Sequence, residues 1–212
     1  MSKPLLHIQH LGLCDYKSTW RKMQRYTDQR TAKSQDQLWL LEHPPIFTLG
    51  RAAKPEHLLA PGDIPIIQVD RGGQVTYHGP GQLVAYLLLD LHKKSFGIKT
   101  LVAQIELALI NLLKDYAIQA NTKPGAPGVY VDGEKIAALG LRVRHGCTFH
   151  GLSLNVDMDL EPFSRINPCG YPNLETTQLA ARGGPTALKQ VEVDLSHHLA
   201  SQLDYTLAYI SH

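Results

Sequence analysis

Cysteine is scarce in this chain. Three residues, Cys14, Cys147 and Cys169, are scattered over 212 positions. An odd, widely spaced set excludes a disulfide framework and suits a reducing compartment, so a cytoplasmic protein is expected. An excess of either charge is missing too. Lys and Arg number 21 and Asp and Glu 19, for a formal net charge of +2. The basic residues form no dense run, so no nucleic-acid partner is expected. No apolar run approaches the roughly 20 residues of a membrane-crossing helix, so no membrane partner is expected either. The first apolar stretch is broken by His7, Gln9 and His10, unlike a secretory signal. No linker, charge block, low-complexity run or repeat divides the sequence. Residues 1–212 therefore read as one domain with length for a sizeable core. Histidine is plentiful at 11, yet only Cys147 and His150 stand at a metal-like spacing, and zinc sites usually need two such pairs. No metal and no cofactor is expected.

What the chain does have is a dense stretch, R-G-G-Q-V-T-Y-H-G-P-G-Q-L-V-A-Y, from Arg71 to Tyr86. An apolar strand candidate, Ile64 to Val69, feeds into it and another, Leu83 to Leu89, leaves it. Glycines free the backbone for positive φ and let a ligand approach without meeting a Cβ. Such a loop between buried strands reads as a site or, more blandly, as a glycine-rich hairpin turn. It is not a dinucleotide fingerprint, because no helix opens on it, and no phosphate-binding G-x-x-x-x-G-K-[ST] occurs.

Elsewhere the periodicities are plain. Leu5 to Leu13 predicts a strand, and Asp15 caps a helix whose Trp20, Met23 and Thr27 form a packing face. Leu38 to Leu41 is a strand, broken by Glu42-His43-Pro44-Pro45 and resumed over Ile46 to Leu49. Leu101, Ile105, Leu109, Leu112 and Tyr116 stripe one long helix; Val191, Leu195, Leu199 and Leu203 stripe another, from about Thr186. Asn121 to Gly128 is turn-rich, and Asp132-Gly133 joins two strands as a tight hairpin. Thr148 to Val156 is a further strand, and Asp157 to Asn173 a loop. Hairpins interspersed with helices make the class α+β, with mixed sheets flanked by helices. Arg142 and Arg144 alternate with Leu141 and Val143, so both are expected on a solvated face that, with His145, steers an acidic partner.

Two side chains stand out for chemistry. Cys169 sits between Pro168 and Gly170 in a loop and is either structural or an accessible thiol. Cys14 and Cys147 lie beside strands and read as small core hydrophobes. Lys135 opens a strand after the tight turn. It is an exposed turn lysine by default, or a partly desolvated one paired with a thiol; burial depresses a lysine pKa, while an ammonium stabilises a thiolate.

The motifs resolve these alternatives by resemblance. The Arg71–Tyr86 signature, E-H-P-P-I-F-T-L-G-R, G-E-K-I-A-A-L-G, F-H-G-L-S-L-N and N-P-C-G-Y follow one another over residues from about 43 to 173. Together they resemble the octanoyltransferases of lipoate biosynthesis. The resemblance implies the fold of the biotin/lipoate protein ligase catalytic domain. It also implies transfer of octanoyl from octanoyl-acyl carrier protein to a lysine of lipoyl-domain proteins, through a cysteine thioester and without ATP. Cys169 would be the acyl-accepting nucleophile and Lys135 its activating partner. Arg71, Gly72, Gly73, Gln74, Val75, Thr76, Tyr77, His78, Ala138, Leu139, Gly140, Gly151, Leu152 and Ser153 would line the substrate site. His78 either orients a reacting group or makes a structural hydrogen bond. A monomer is expected. The rival readings are an ATP-dependent lipoate- or biotin-type ligase of the same fold and a non-catalytic acyl-binding module.

Overall fold

A computed structural model describes residues 3–94, 96–172 and 174–209. Strand β1 (Leu5–Leu13) leads into helix α1 (Tyr16–Asp28). Asp15 caps that helix as expected, its carboxylate accepting from the Ser18 backbone N–H at 2.8 Å. There follow β2 (Asp36–Glu42), β3 (Ile46–Leu49), β4 (Ile66–Gln68), β5 (Val75–His78), β6 (Gln82–Leu88) and helix α2 (Ile98–Asp115). The chain continues through β7 (Asn121–Lys123), β8 (Ala126–Val131), β9 (Glu134–Arg144) and β10 (Cys147–Asn155), and ends in helix α3 (Leu188–Gln202) and β11 (Thr206–Tyr209).

The class is α+β, and the large sheet is mixed. Its eight strands run β11-β1-β2-β6-β10-β9-β8-β7, parallel among β11, β1 and β2 and antiparallel thereafter. Along β2, Leu38 and Leu40 point to one face and Trp39 and Leu41 to the other, the period of two expected of a strand buried on both sides. The first face is covered by Leu101, Ile105, Leu109 and Leu112 of α2 and Val191, Leu195 and Leu199 of α3. On the second, α1 lays Met23 against Trp39, Leu41, Val84, Tyr86 and Phe149. Asp132 and Gly133 take φ of 50° and 90°, the left-handed pair that a two-residue hairpin requires.

Several sequence expectations change. The Arg71–Tyr86 stretch is not one loop between two buried strands: it contains β5, which pairs antiparallel with β3 and, with β4, makes a second sheet of order β4-β3-β5. The entering strand contracts to β4, where Ile66 is 44% exposed, because β4 lies at the edge of this small sheet. β7 and β11, of three and four residues, are too short to carry a periodic signal. Trp20 is only partly buried because its indole N–H donates to Asp70 Oδ1 at 2.8 Å, and Tyr16 and Thr19 complete the packed face of α1 instead. Arg142 is half-buried, with its Nε enclosed and without an acceptor, while the exposed Arg144 pairs with Asp28 Oδ1 of α1 at 3.1 Å. The Asp157–Asn173 loop folds into short 3-10 turns at Glu161–Arg165 and Pro168–Gly170; its last residue, Asn173, lies outside the described residues.

Candidate active site

Cys169 is held in a turn that few residues would adopt. Pro168 precedes it, Gly170 N–H donates to Asn167 O at 2.9 Å, and Asn167 N–H donates to His57 O at 2.8 Å. Cys169 takes φ 58° and Gly170 φ 78°. A left-handed conformation is ordinary for the glycine and costs the cysteine on the order of 1 kcal/mol. Strain at a half-buried thiol marks a place where position matters more than local comfort.

Lys135 reaches that thiol by a change of register. Between β8 and β9 the pairing slips, with Tyr130 opposite Lys135 but Val129 opposite Ala137. The extra residue is a β-bulge. Ile136 and Ala137 both enter the apolar core, and Lys135 falls on the other side, with Ala138 and Gly140. Lys135 is only 3% exposed. Its Nζ donates to Cys169 Sγ at 2.9 Å and to Pro127 O at 3.1 Å, and it stands 5.2 Å from the centre of the Tyr130 ring. Gly128, at φ 139°, lies alongside: a Cβ there would meet Ala137 O at 2.6 Å and Lys135 Cε at 3.1 Å. Glycine is therefore required to seat the ammonium.

Burial pulls the Lys135 pKa down, as expected for a desolvated amine. Cys169, by charge and by its hydrogen bond, and then Tyr130 pull it up and prevail, so the net displacement is upward. The ammonium is kept by its partner. The other cysteines are placed differently: Cys14 donates to Leu11 O at 3.3 Å, and burial pushes the Cys147 thiol up.

Beside Cys169 a cleft opens between β5, β6, β9 and β10. Arg71, Gly73, Gln74, Val75, Thr76, His78, Ala138, Leu139, Gly140, Gly151, Leu152 and Ser153 surround it. Two residues expected there lie elsewhere. Gly72 borders an adjoining groove with Ile98, Val102, Leu141 and Tyr171. Tyr77 is turned away, packing on Phe47 and Phe163 with ring centres 5.5 Å apart in each case, because β5 alternates and turns Thr76 and His78 toward the cleft.

Arg71 is a strut inside the wall. It is 7% exposed, and Nη2 donates to Thr48 O at 2.6 Å and Thr48 Oγ1 at 2.8 Å while Nη1 donates to Gly72 O at 2.9 Å. Burial lowers its pKa. A Cβ on Gly140 would sit 3.1 Å from Arg71 Cδ, so that glycine makes room for the strut. His78 Nδ1 donates to Gln82 Oε1 at 2.7 Å, and Gln82 Nε2 donates to Asn155 Oδ1 at 3.0 Å.

The inner end of the cleft was not anticipated. Tyr16 of α1, Val84 and Tyr86 of β6 and His150 of β10 line it, with His43 behind Tyr86. His43 Nδ1 donates to Cys14 O at 2.6 Å and its Nε2 accepts from Tyr86 Oη at 2.7 Å. Burial drives His43 down to about 4, and burial with the neighbouring His43 drives His78 down to about 3. Both rings are neutral at pH 7. His150, in left-handed backbone at φ 59°, donates from Nε2 to Asp70 Oδ1 at 3.0 Å and is lowered by burial. Burial raises the Asp70 carboxyl, but bonds from His150 and Trp20 outweigh it and hold it down at about 2. Cys147 and His150, the pair at metal-like spacing, do not act together, since His150 turns to Asp70. The strings E-H-P-P and F-H-G-L carry His43 and His150, but nothing local ties them to Tyr16.

The lipoyl protein ligase A/B catalytic domain matches residues 15–200. An octanoyltransferase of Pseudomonas fluorescens is 59% identical over 201 residues, covering 95% of this chain and 94% of its own length. Among solved structures, a bipartite lipoate protein ligase of Thermoplasma acidophilum superposes with a TM-score of 0.73 at 14% identity, over 100% of this chain and 88% of that one. A biotin protein ligase of Aquifex aeolicus follows at a TM-score of 0.53 and 13% identity, over 96% and 69%. The likeness to the two ligases is one of fold. Matched from before α1 to within α3, the chain belongs to the lipoyl protein ligase A/B catalytic domain family.

Proposed function

We propose that this protein transfers an octanoyl group from octanoyl-acyl carrier protein to a lysine of lipoyl-domain proteins, with Cys169 carrying the acyl group between them. The observation that carries this reading is the 2.9 Å contact between Lys135 Nζ and Cys169 Sγ at the mouth of a cleft walled by small residues. The octanoyltransferase name of its 59% identical relative supports the same reaction.

The chemistry balances within this pair. The Cys169 thiolate attacks the carbonyl carbon of the carrier thioester; the new S–C bond forms and the carrier's C–S bond breaks. The departing carrier thiolate takes the proton of the Lys135 ammonium. Acylation removes the thiolate, the main influence holding the Lys135 pKa up, and leaves burial, which lowers it. Lys135 thus becomes a neutral base when one is needed. The acceptor amine then attacks the acyl-Cys169 carbonyl, Lys135 takes its proton, and Cys169 departs as thiolate, restoring the ion pair. Burying about seven carbons of the chain contributes roughly 5 kcal/mol at about 0.8 kcal/mol per methylene. The donor arrives activated as a thioester, so no nucleotide is needed.

Mixing the protein with octanoyl-acyl carrier protein alone should add one octanoyl mass, mapped to the Pro168–Gly170 turn and removed by neutral hydroxylamine. Cys169→Ala should lose adduct and turnover, whereas Cys14→Ala should keep both. Full turnover by Cys169→Ala, or activity only with free octanoate and ATP, would sink the reading in favour of a ligase.

A further inference from the structure

Outside the acyl cleft, three side chains of metal-ligating type converge where the connection from β6 to α2 meets the turn between β9 and β10. We propose that Asp90, His92 and Cys147 bind a zinc ion that pins these two segments together.

One ligand atom from each of the three lies within 4.8 Å of the others. Asp90 Oδ1 and His92 Nδ1 are already 2.9 Å apart, in hydrogen-bond contact. The backbone holds the set in place. Asp90 and Cys147 face each other as an antiparallel bridge, and Leu91 N–H donates to Gly146 O at 3.0 Å while Thr148 N–H donates to Leu89 O at 2.8 Å. Gly146, at φ 69°, adds an independent sign. The His92 ring occupies the space a Cβ would take there, so the glycine is what lets the imidazole lie beside Cys147. Cys147 is 6% exposed, is not disulfide-bonded, and has no part in the transfer chemistry.

The donor set selects the metal. A thiolate, an imidazole and a carboxylate suit a borderline-soft divalent ion, and three protein ligands leave the fourth tetrahedral position to water. Bonds of about 2.0–2.3 Å put tetrahedral ligands roughly 3.3–3.8 Å apart. The set closes by rotation of the His92 imidazole, whose side chain is 71% exposed. On binding, the Cys147 thiol gives its proton to solvent as the S–Zn bond forms, the ion sheds water, and nothing is oxidised or reduced. The carboxylate and thiolate balance the ion's two charges. Lys93, whose Nζ stands 3.7 Å from Asp90 Oδ2, is the exposed cation the ion displaces. Sequence spacing missed the site because the residues come from two segments brought together only by the pairing of β6 with β10.

Cobalt(II) is the probe. In the full chain with Cys14→Ala and Cys169→Ala, Cys147 is the sole thiol. Titration should then give a thiolate-to-cobalt charge-transfer band and visible bands of four-coordinate intensity, saturating at one equivalent and abolished by zinc. His92→Ala, at an exposed position that should not disturb folding, should weaken binding at least about tenfold. Cys147→Ser should remove the charge-transfer band. Zinc should raise the melting temperature of the parent protein and not of His92→Ala. A band that survives Cys147→Ser, affinity indifferent to His92→Ala, or no thiolate band at one equivalent would overturn the site. None of these readouts depends on acyl transfer.

Discussion

On one face of the eight-stranded sheet, α2 and α3 bury Leu101, Ile105, Leu109, Val191, Leu195 and Leu199, each at 0% exposure, against strand leucines. On the other, Tyr16 of α1 stacks on His78 with ring centres 5.6 Å apart, in a cluster that also holds His43, Tyr86 and His150. The first face is held by apolar burial, which tolerates no water and needs no geometry beyond packing. On the second, each buried polar atom must find a partner or cost stability. Most do find one; the exceptions include Thr27 Oγ1 of α1, Arg142 Nε of β9 and His150 Nδ1, whose residue lines the cleft. Stability and chemistry are thus assigned to opposite sides of the same strands. Adjacent residues of β9 and β10 serve one or the other according to which way they point.

That division can be broken from either side. Lys135→Ala should cut acyl transfer by about a hundred- to ten-thousand-fold, the range for a lost general base, and slow Cys169 alkylation near neutral pH. Lys135→Arg should restore alkylation more than turnover, since arginine keeps the charge but cannot accept a proton. Leu109→Ala on the apolar face should do the reverse. It should lower unfolding free energy by about 2–5 kcal/mol in urea while leaving Cys169 alkylation of the folded protein unchanged. Equal losses of stability and alkylation in both variants would show that the two faces are not separable.

A smaller effect sharpens the contrast through pH. His78 and His43, pushed down to about 3 and about 4 from an ordinary 6.5, are neutral when folded. The unfolded chain takes up their protons first as pH falls. Stability from both is therefore complete above about pH 6.5, declines below it, and is exhausted near pH 3–4. At pH 5 each histidine should cost about 2 kcal/mol relative to neutrality. Urea unfolding at pH 7 and pH 5 should show that loss, and His78→Gln should shrink it by about half. A pH-independent midpoint across this range would mean that the histidines are not buried neutral.

The smallest effect belongs to the rim of α1. Arg144→Ala, which breaks an ion pair with Asp28 whose side chains are 43% and 39% exposed, should change stability by less than about 1 kcal/mol. Any slowing of association with an acidic carrier protein should fade as salt rises. A salt-independent change would point to altered packing of α1.

Much of this was legible from residue order. The alternation along β2, the stripes on α2 and α3, the Asp15 cap and the Asp132–Gly133 turn are local patterns, each set by a backbone period or a positive φ that near neighbours reveal. The motif strings pointed to Cys169 and Lys135 as candidates. Pattern could not reveal the bulge that turns Lys135 from the core to the cleft, since one inserted residue reverses every side chain on its near side. Nor could it place Tyr77 outside the cleft, enclose the Arg142 Nε, or gather Tyr16, His43, Tyr86 and His150 around its inner end. Sequence by itself determined the longer elements and the residue types with chemical capacity. Which of them meet, at what distance and out of water, was decided only by strand register and by the helix laid over each face, because contact between distant segments depends on packing that no local period encodes.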